Sequence, residues 1–389
     1  MMMDEMLASE SIRNREFPVT RARVFLAHAG VCPLPRAACD AIGEFCRRGS
    51  EHAQENGWAN GQVHAARQAG ARLIGCSPEE IALLGPTSLG LSLVANGLSW
   101  ESGDEVVYYR DDYPANVYPW TDLERLGVRP VCLQPGRPGA ITWETVENAI
   151  TPRTRLVTVA TCNFLSGYRV DVEYMGHQLR QRGILFCLDA IQTLGAFPLS
   201  VGSVDFLSAD SHKWMLGPAG AGIVYIRKEC QEFLRPSLLG SWNVQSPEFI
   251  AQDTIDFETG GRRYEPGMLN LPGIIGMTAA LKLLDTAGID QVGARILKLR
   301  RELLDRILPL GFRMYGARED DPDSAQSGII TVGHPTSDLK SVAKALEDEQ
   351  ITVSCRQNRR GEVFLRFSPH FYNTIEEFDR VAAVLKRVG

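Results

Sequence analysis

Short runs of consecutive apolar residues, separated by polar and glycine-rich stretches, organise most of this chain. Leu156 to Ala160 and Ile184 to Leu188 are unbroken apolar segments, the pattern of parallel strands covered on both faces. Between them Asp171 is set to cap a helix that carries Val172, Met175 and Leu179 on one face. Val106 to Tyr109 predicts another strand. IALLG predicts one more, followed by a helix opened by Thr87-Ser88 with Leu89, Leu93 and Val94 inward. The run from Val204 through Phe206 and Leu207 predicts a strand, Ser211-His212-Lys213 a polar turn, and Gly217 to Gly222 the approach to a second strand ending near Ile226. Near the start, VFLA predicts a short strand before a helix on which Cys39, Ile42 and Cys46 share a face.

The last third changes character. Glycines and prolines around Gly267 and Gly273 mark a crossing loop, and a long helix begins at Ile274. A helix over Gln291 to Leu308, strands over Gly328 to Val332, Ile351 to Ser354 and Glu362 to Phe367, and a final helix from Thr374 follow. This predicts an α/β protein: an extension over 1–24, a large domain over 25–273 with a mostly parallel sheet and helices on both faces, and a smaller α+β domain over 274–389.

Composition narrows the classes. With 389 residues and 44% hydrophobic content the chain can bury one large core and a smaller one, and a net charge of −6 argues against a general nucleic-acid binder. Nine scattered cysteines form no C-x-x-C pair and are odd in number, so neither a zinc site nor a complete disulfide framework is indicated. They read mostly as small core residues in a reducing compartment. The first residues are polar and acidic, and no run of about 18 apolar residues occurs, so a cytoplasmic protein without a membrane partner is expected.

Candidate chemistry begins with Lys213. The chain has seven lysines against 34 arginines, and none precedes Lys213. A lysine partly buried in a tight turn between strands loses its proton more readily and can attack an aldehyde such as pyridoxal phosphate, whereas a solvated turn lysine would do nothing. Asp189 ends a buried strand, where a carboxylate needs a cation, and a protonated pyridine nitrogen is one. Tyr113 lies just past a strand end, suited to cover a flat ring. Thr87 and Ser88 fit either an N-cap or an anion site at a helix start. Arg366 interrupts an apolar strand and is either an edge arginine or a two-pronged carboxylate binder. No glycine-rich nucleotide motif is present.

SHKWMLGPAGAG, Ser211 to Gly222, resembles the lysine segment of the class V aminotransferase superfamily, the cysteine desulfurase-like group of fold-type I pyridoxal phosphate enzymes. The resemblance runs from about Phe25 to the C-terminus. It implies that Lys213 forms the Schiff base with pyridoxal 5'-phosphate and that Ser211 and His212, with Thr87 and Ser88, approach the phosphate. It further implies that Tyr113 covers the ring, Asp189 pairs with the pyridinium, Gln192 contacts the phenolic oxygen, and Asn163 points at cofactor and substrate. His28 and Ala29 would border the substrate carboxylate, which Arg366 would bind. By themselves His28 fits a structural histidine equally well and Asn163 a loop turn. The resemblance also implies a homodimer in which the loop near Met268 reaches the partner subunit; the family's threonine is replaced here by Met268. The expected function is a C–S or other β-elimination lyase acting on an amino acid. Transamination, epimerisation, a desulfurase using Cys355, and a binding protein without turnover are the alternatives. Many desulfurases carry a histidine where Tyr113 stands, and Cys355 ends the apolar strand ITVSC, which suggests a packed thiol and not a mobile nucleophile.

Overall fold

The computed structural model describes residues 2–388. Strand β1 (Val24–Phe25) stands apart from a seven-stranded sheet built from β2 (Ile81–Ala82), β3 (Glu105–Tyr108), β4 (Arg129–Cys132), β5 (Thr154–Ala160), β6 (Leu185–Asp189), β7 (Phe206–Asp210) and β8 (Gly222–Ile226). Their order is β2-β8-β7-β6-β5-β3-β4, and only β8 runs against its neighbours. The unbroken apolar runs explain the layering. In β5, Leu156 joins one core with Cys187, Phe206 and the helix Thr87–Gly97. Its neighbour Val157 joins the opposite core with Phe186, Leu207 and the helices Gly57–Ile74 and Val172–Gln181. Alternation along each strand thus feeds two helical layers, so both strand faces must be apolar.

The remaining strands, β9 (Arg313–Met314), β10 (Ile330–Gly333), β11 (Ile351–Thr352), β12 (Ser354–Gln357) and β13 (Val363–Phe367), lie in the C-terminal part. Four of them form an antiparallel sheet of order β12-β13-β10-β9, and β11 pairs in parallel with β1. ITVSC, expected as one strand, therefore breaks at Val353: its first half completes the β1 pair and its second half joins β13. The N-terminal segment is fastened to the same region. Arg13 pairs with Glu377 at 2.6 Å, and the Phe17 ring stacks on Tyr372 with centroids 4.2 Å apart. The helix Leu271–Ala287 contributes Ile274, Met277 and Leu281 to the core under the large sheet, and Ala280 and Leu284 to the core that Phe371 and Tyr372 share.

Three local expectations are corrected. The helix Arg36–Glu51 turns Cys39 and Cys46 outward and packs through Ala38 and Phe45, with Ile42 against the Gly276 backbone. Two adjacent stripes satisfied the same helical period, and packing chose the one without the cysteines. Accordingly only Cys32, Cys162, Cys187 and Cys230 are fully buried. Third, the cap of the helix Thr87–Gly97 is Pro86, so Thr87 is its first residue and its hydroxyl serves elsewhere. The helix Gly57–Ile74 and the strand β4 were not anticipated, since the one is alanine- and glycine-rich and the other half-buried.

Close approach of the helix Thr87–Gly97 to the sheet depends on Gly90. A β-carbon there would stand 2.4 Å from Ser208 Oγ and 2.6 Å from Val224 Cγ2. Gly90→Ala is therefore expected to destabilise the protein by about 1–3 kcal/mol, read as a lower urea midpoint with an unchanged slope. An unshifted midpoint would show that the sheet yields there at no cost.

Candidate active site

The carboxyl ends of β6 and β7, the loop after β3, the helix start at Thr87 and the β12–β13 pair converge on one cavity of about 350 Å³. Its wall includes Thr87, Ser88, Tyr113, Asp189, Gln192, His212, Lys213 and Arg366, together with Ala29, Phe164 and Arg356. Ligand sites of open α/β sheets lie at such strand ends, because successive loops splay apart there.

Lys213 follows β7 in a turn closed by two backbone bonds, Leu216 N–H to the Lys213 carbonyl and Gly217 N–H to the Ser211 carbonyl. Leu216 holds a left-handed conformation, φ 57°, which a leucine adopts only when its surroundings compel it. Its buried side chain supplies that compulsion. Lys213 is only 6% exposed. Burial lowers its ammonium to about 8, Asp189 opposes that shift, and Arg366 and Arg356 add to it. The amine is thus half neutral in a mildly basic solution and able to act as nucleophile or base.

Asp189 ends β6, is buried, and accepts a single side-chain hydrogen bond, from Ile191 N–H at 3.1 Å. Burial raises its pKa and the Lys213 charge lowers it, so the carboxylate is short of partners for its charge. Gln192 is held from both sides, donating to the Ala29 carbonyl and accepting from Trp214 Nε1 at 2.9 Å. His212 lines the cavity with Nδ1 against Asp210 Oδ1 at 2.7 Å. Thr87 Oγ1 accepts from Asp210 N–H at 2.9 Å, tying the helix start to the end of β7. Tyr113 is 48% exposed, with Lys213 Nζ 5.2 Å from its ring centroid and the Phe164 ring edge-on to it.

Arg366 is 1% exposed. Its Nη1 donates to the Phe164 carbonyl at 2.7 Å, while Nε and Nη2 are buried with no partner among the described residues. Burial, and then Arg356, push its guanidinium down to about 9. Two unpaired donors on one planar edge are matched by a carboxylate.

Three expected residues stand outside the cavity wall. His28 is fully buried, with Nδ1 against the Ser368 carbonyl at 2.9 Å and Nε2 against the Tyr372 hydroxyl at 2.6 Å, and burial holds its pKa well below the usual range. Asn163 receives Leu165 and Ser166 N–H on Oδ1 and lines a neighbouring cleft, so it shapes the turn after β5. Ser211 donates its hydroxyl to the Pro218 carbonyl inside the lysine turn. Asn163 and Ser211 spend their polar atoms on backbone, and His28 on the Ser368 carbonyl and the Tyr372 hydroxyl, partners that the local sequence pattern did not reveal. Conversely, Asp210 and Arg356 went unforeseen as site residues. A strand-end aspartate two residues before a histidine was a usable signal for the first; the second needed the strand register.

Fold and site together have the architecture of fold-type I pyridoxal phosphate enzymes, with a lysine and an aspartate at adjacent strand ends. Within that class the chain belongs to the family described as Aminotransferase class-V, whose model matches residues 24–381. A protein named "Probable cysteine desulfurase" from Methanothermobacter thermautotrophicus is 28% identical over 98% of both chains. The fold is shared with the apo structure of a cysteine desulfurase from Thermococcus onnurineus NA1, TM-score 0.88, 24% identical, covering 97% of both chains. It is also shared with the cystine C–S lyase C-DES in complex with its product cysteine persulfide, TM-score 0.85, 21% identical, covering 96% of this chain and 100% of that one. The protein is a pyridoxal phosphate-dependent enzyme of this family. Its cavity fits that group: the under-partnered buried carboxylate of Asp189 suits a pyridinium, and the helix start at Thr87 and Ser88 suits a phosphate.

In the protein stripped of small molecules, labelling of the Lys213 amine by a neutral-amine reagent is expected to rise with a midpoint near pH 8. Asp189→Asn should move that midpoint down, since Asp189 raises it. A wild-type midpoint near the ordinary lysine value of about 10.4, measured by peptide mass against pH, would contradict the burial argument.

Proposed function

We propose that this enzyme is a lyase that removes the β-substituent of an amino acid, foremost a sulfur substituent, without an enzyme-bound persulfide. The observation that carries this reading is the facing of β12 and β13. Cys355 pairs with Leu365, and Ser354 pairs with Arg366. Neighbours along a strand point to opposite sides, so the arginine that lines the cavity and the cysteine lie on opposite faces. Leu365 is buried in the core with Val342 and Leu346 of the helix Leu339–Asp348, and Cys355 shares that side. Burial raises the Cys355 thiol, with Lys340 and Arg356 opposing, and a rigid strand gives it no path to the cavity. Among the described residues no cysteine lines the cavity.

The bound cofactor supplies an electron sink for the pair left at Cα. Lys213 would hold the cofactor through its amine and would serve as the base at the substrate Cα; its lowered pKa suits that work. Asp189 keeps the ring nitrogen protonated. Tyr113 would cover the ring, Gln192 would lie toward its phenolic oxygen, and Thr87, Ser88 and His212 would serve the phosphate. Arg366 binds the α-carboxylate through Nε and Nη2. The exposed apolar side chains of Phe249, Ile250, Ile255 and Met268 support a homodimer that covers this segment. Nine free cysteines support a reducing, cytoplasmic setting. No helix among the described residues is long and apolar enough to cross a membrane. Desulfuration through Cys355 is the second reading, favoured by the names of the relatives.

Borohydride treatment of the holoenzyme is expected to leave the cofactor's mass on the peptide carrying Lys213; its appearance on another lysine would refute the role given to Lys213. Cys355→Ser is expected to retain turnover of cystine-type substrates within about threefold, with thiol or persulfide product released to solution. A sulfur adduct on wild-type Cys355, with loss of turnover in the variant, would replace the lyase reading by the desulfurase one.

A further inference from the structure

The cavity that holds Arg366 carries a second guanidinium whose task is unassigned. Register sets Arg356 opposite Phe364 and Ser354 opposite Arg366. Arg356 and Arg366 are therefore diagonal neighbours on one sheet face, their side chains rooted about 7–8 Å apart. Both line the cavity. Other arginines nearby are spent on acids: Arg359 pairs with Asp111, and Arg137 with Asp321. Arg356 forms no ion pair among the described residues, and its one protein hydrogen bond is a long one, 3.4 Å, from Nη1 to its neighbour's carbonyl at Cys355. Its Nη2 lies over the backbone of Gly30, 3.9 Å from where a β-carbon there would stand.

One guanidinium suffices to match the two oxygens of an α-carboxylate. The Nε–Nη2 edge of Arg366 already offers two parallel donors to its two oxygens. Among the described residues the only carboxylate in the cavity wall, Asp189, is buried at the end of β6, and Thr87 and Ser88 offer a helix start to a phosphate. Arg356 is thus a cation with no anion assigned to it, set beside another cation. We propose that Arg356 is a specificity-determining anion site, and that the substrate is an amino acid whose β-substituent ends in an acid, with Arg366 on the α-carboxylate and Arg356 on the distal one. The opposition between the two guanidiniums, by which Arg356 lowers Arg366, is relieved by a ligand that carries both charges. This inference rests on reading the cavity as an amino-acid site, and it adds the chemical class of the side chain.

The test uses two compounds of equal size that differ in charge, S-carboxymethyl-L-cysteine and S-carbamoylmethyl-L-cysteine, titrated into the holoenzyme by calorimetry. The carboxylate is expected to bind at least about tenfold more tightly than the amide. Arg356→Gln should bring that ratio within about twofold of one, while Arg356→Lys, which keeps a point charge, retains part of it. Arg366→Gln should weaken both compounds and preserve the ratio. Equal wild-type affinities, or a ratio unmoved in Arg356→Gln, would overturn the proposal, as would failure of both compounds to bind. Affinity and released thiol are read separately, so a wrong reaction type would appear as an intact ratio with no thiol released.

Discussion

Burial of a lysine at the end of a central strand is the constraint on which the rest of this structure depends. Lys213 is almost wholly removed from water in the turn after β7, and Asp189 is likewise buried at the end of the adjacent β6. Desolvation pushes each toward its neutral form, and each resists the shift in the other. Such a pair contributes little to stability on its own, because the cost of stripping water from both charges offsets most of their attraction. What it provides is reactivity, an amine that loses its proton near neutral pH next to a carboxylate that still wants a cation.

The surroundings hold that arrangement rigid. Asp210 at the last position of β7 accepts from Gly220 N–H, meets His212, and donates its own N–H to Thr87. One buried residue therefore fastens the lysine turn to the helix start across the cavity. Gly90 lets that helix lie against Ser208 and Val224, and Gly217 leaves room for the Ser211 hydroxyl inside the turn. The left-handed Leu216 is the local cost of a turn this tight, and a buried side chain offsets it.

The C-terminal sheet sets what the cavity accepts. Strand pairing turns Arg366 and Arg356 toward it and Cys355 away, so among the described residues two cations and no thiol of this sheet line the cavity. Arg359, at the tip of the same hairpin, reaches Asp111 and the Arg110 carbonyl in the loop that leads to Tyr113. The β12–β13 hairpin that bears Arg366 and the loop that bears Tyr113 are thereby joined through one surface contact.

Much of this was legible in the chain. Unbroken apolar runs identified β5, β6 and the β7–β8 pair, because a strand buried on both faces can contain little else. Scarcity of lysine and the strand-end positions of Lys213 and Asp189 singled out the chemistry, since a buried charge at a strand end is too costly to keep without use. Other properties depended on which atoms meet. His28, Asn163 and Ser211 match the family pattern by position, yet their polar groups are taken by backbone and, for His28, also by the Tyr372 hydroxyl, and no spacing rule reports that. The break at Val353 decided which face Cys355 occupies, because a strand's period of two turns a one-residue change of pairing into an exchange of sides. Sequence alone singled out Lys213 in a turn between strands and Asp189 at a buried strand end; only the tertiary structure set them side by side and decided which side chains surround them, because register and burial are properties of the partners and not of the residue.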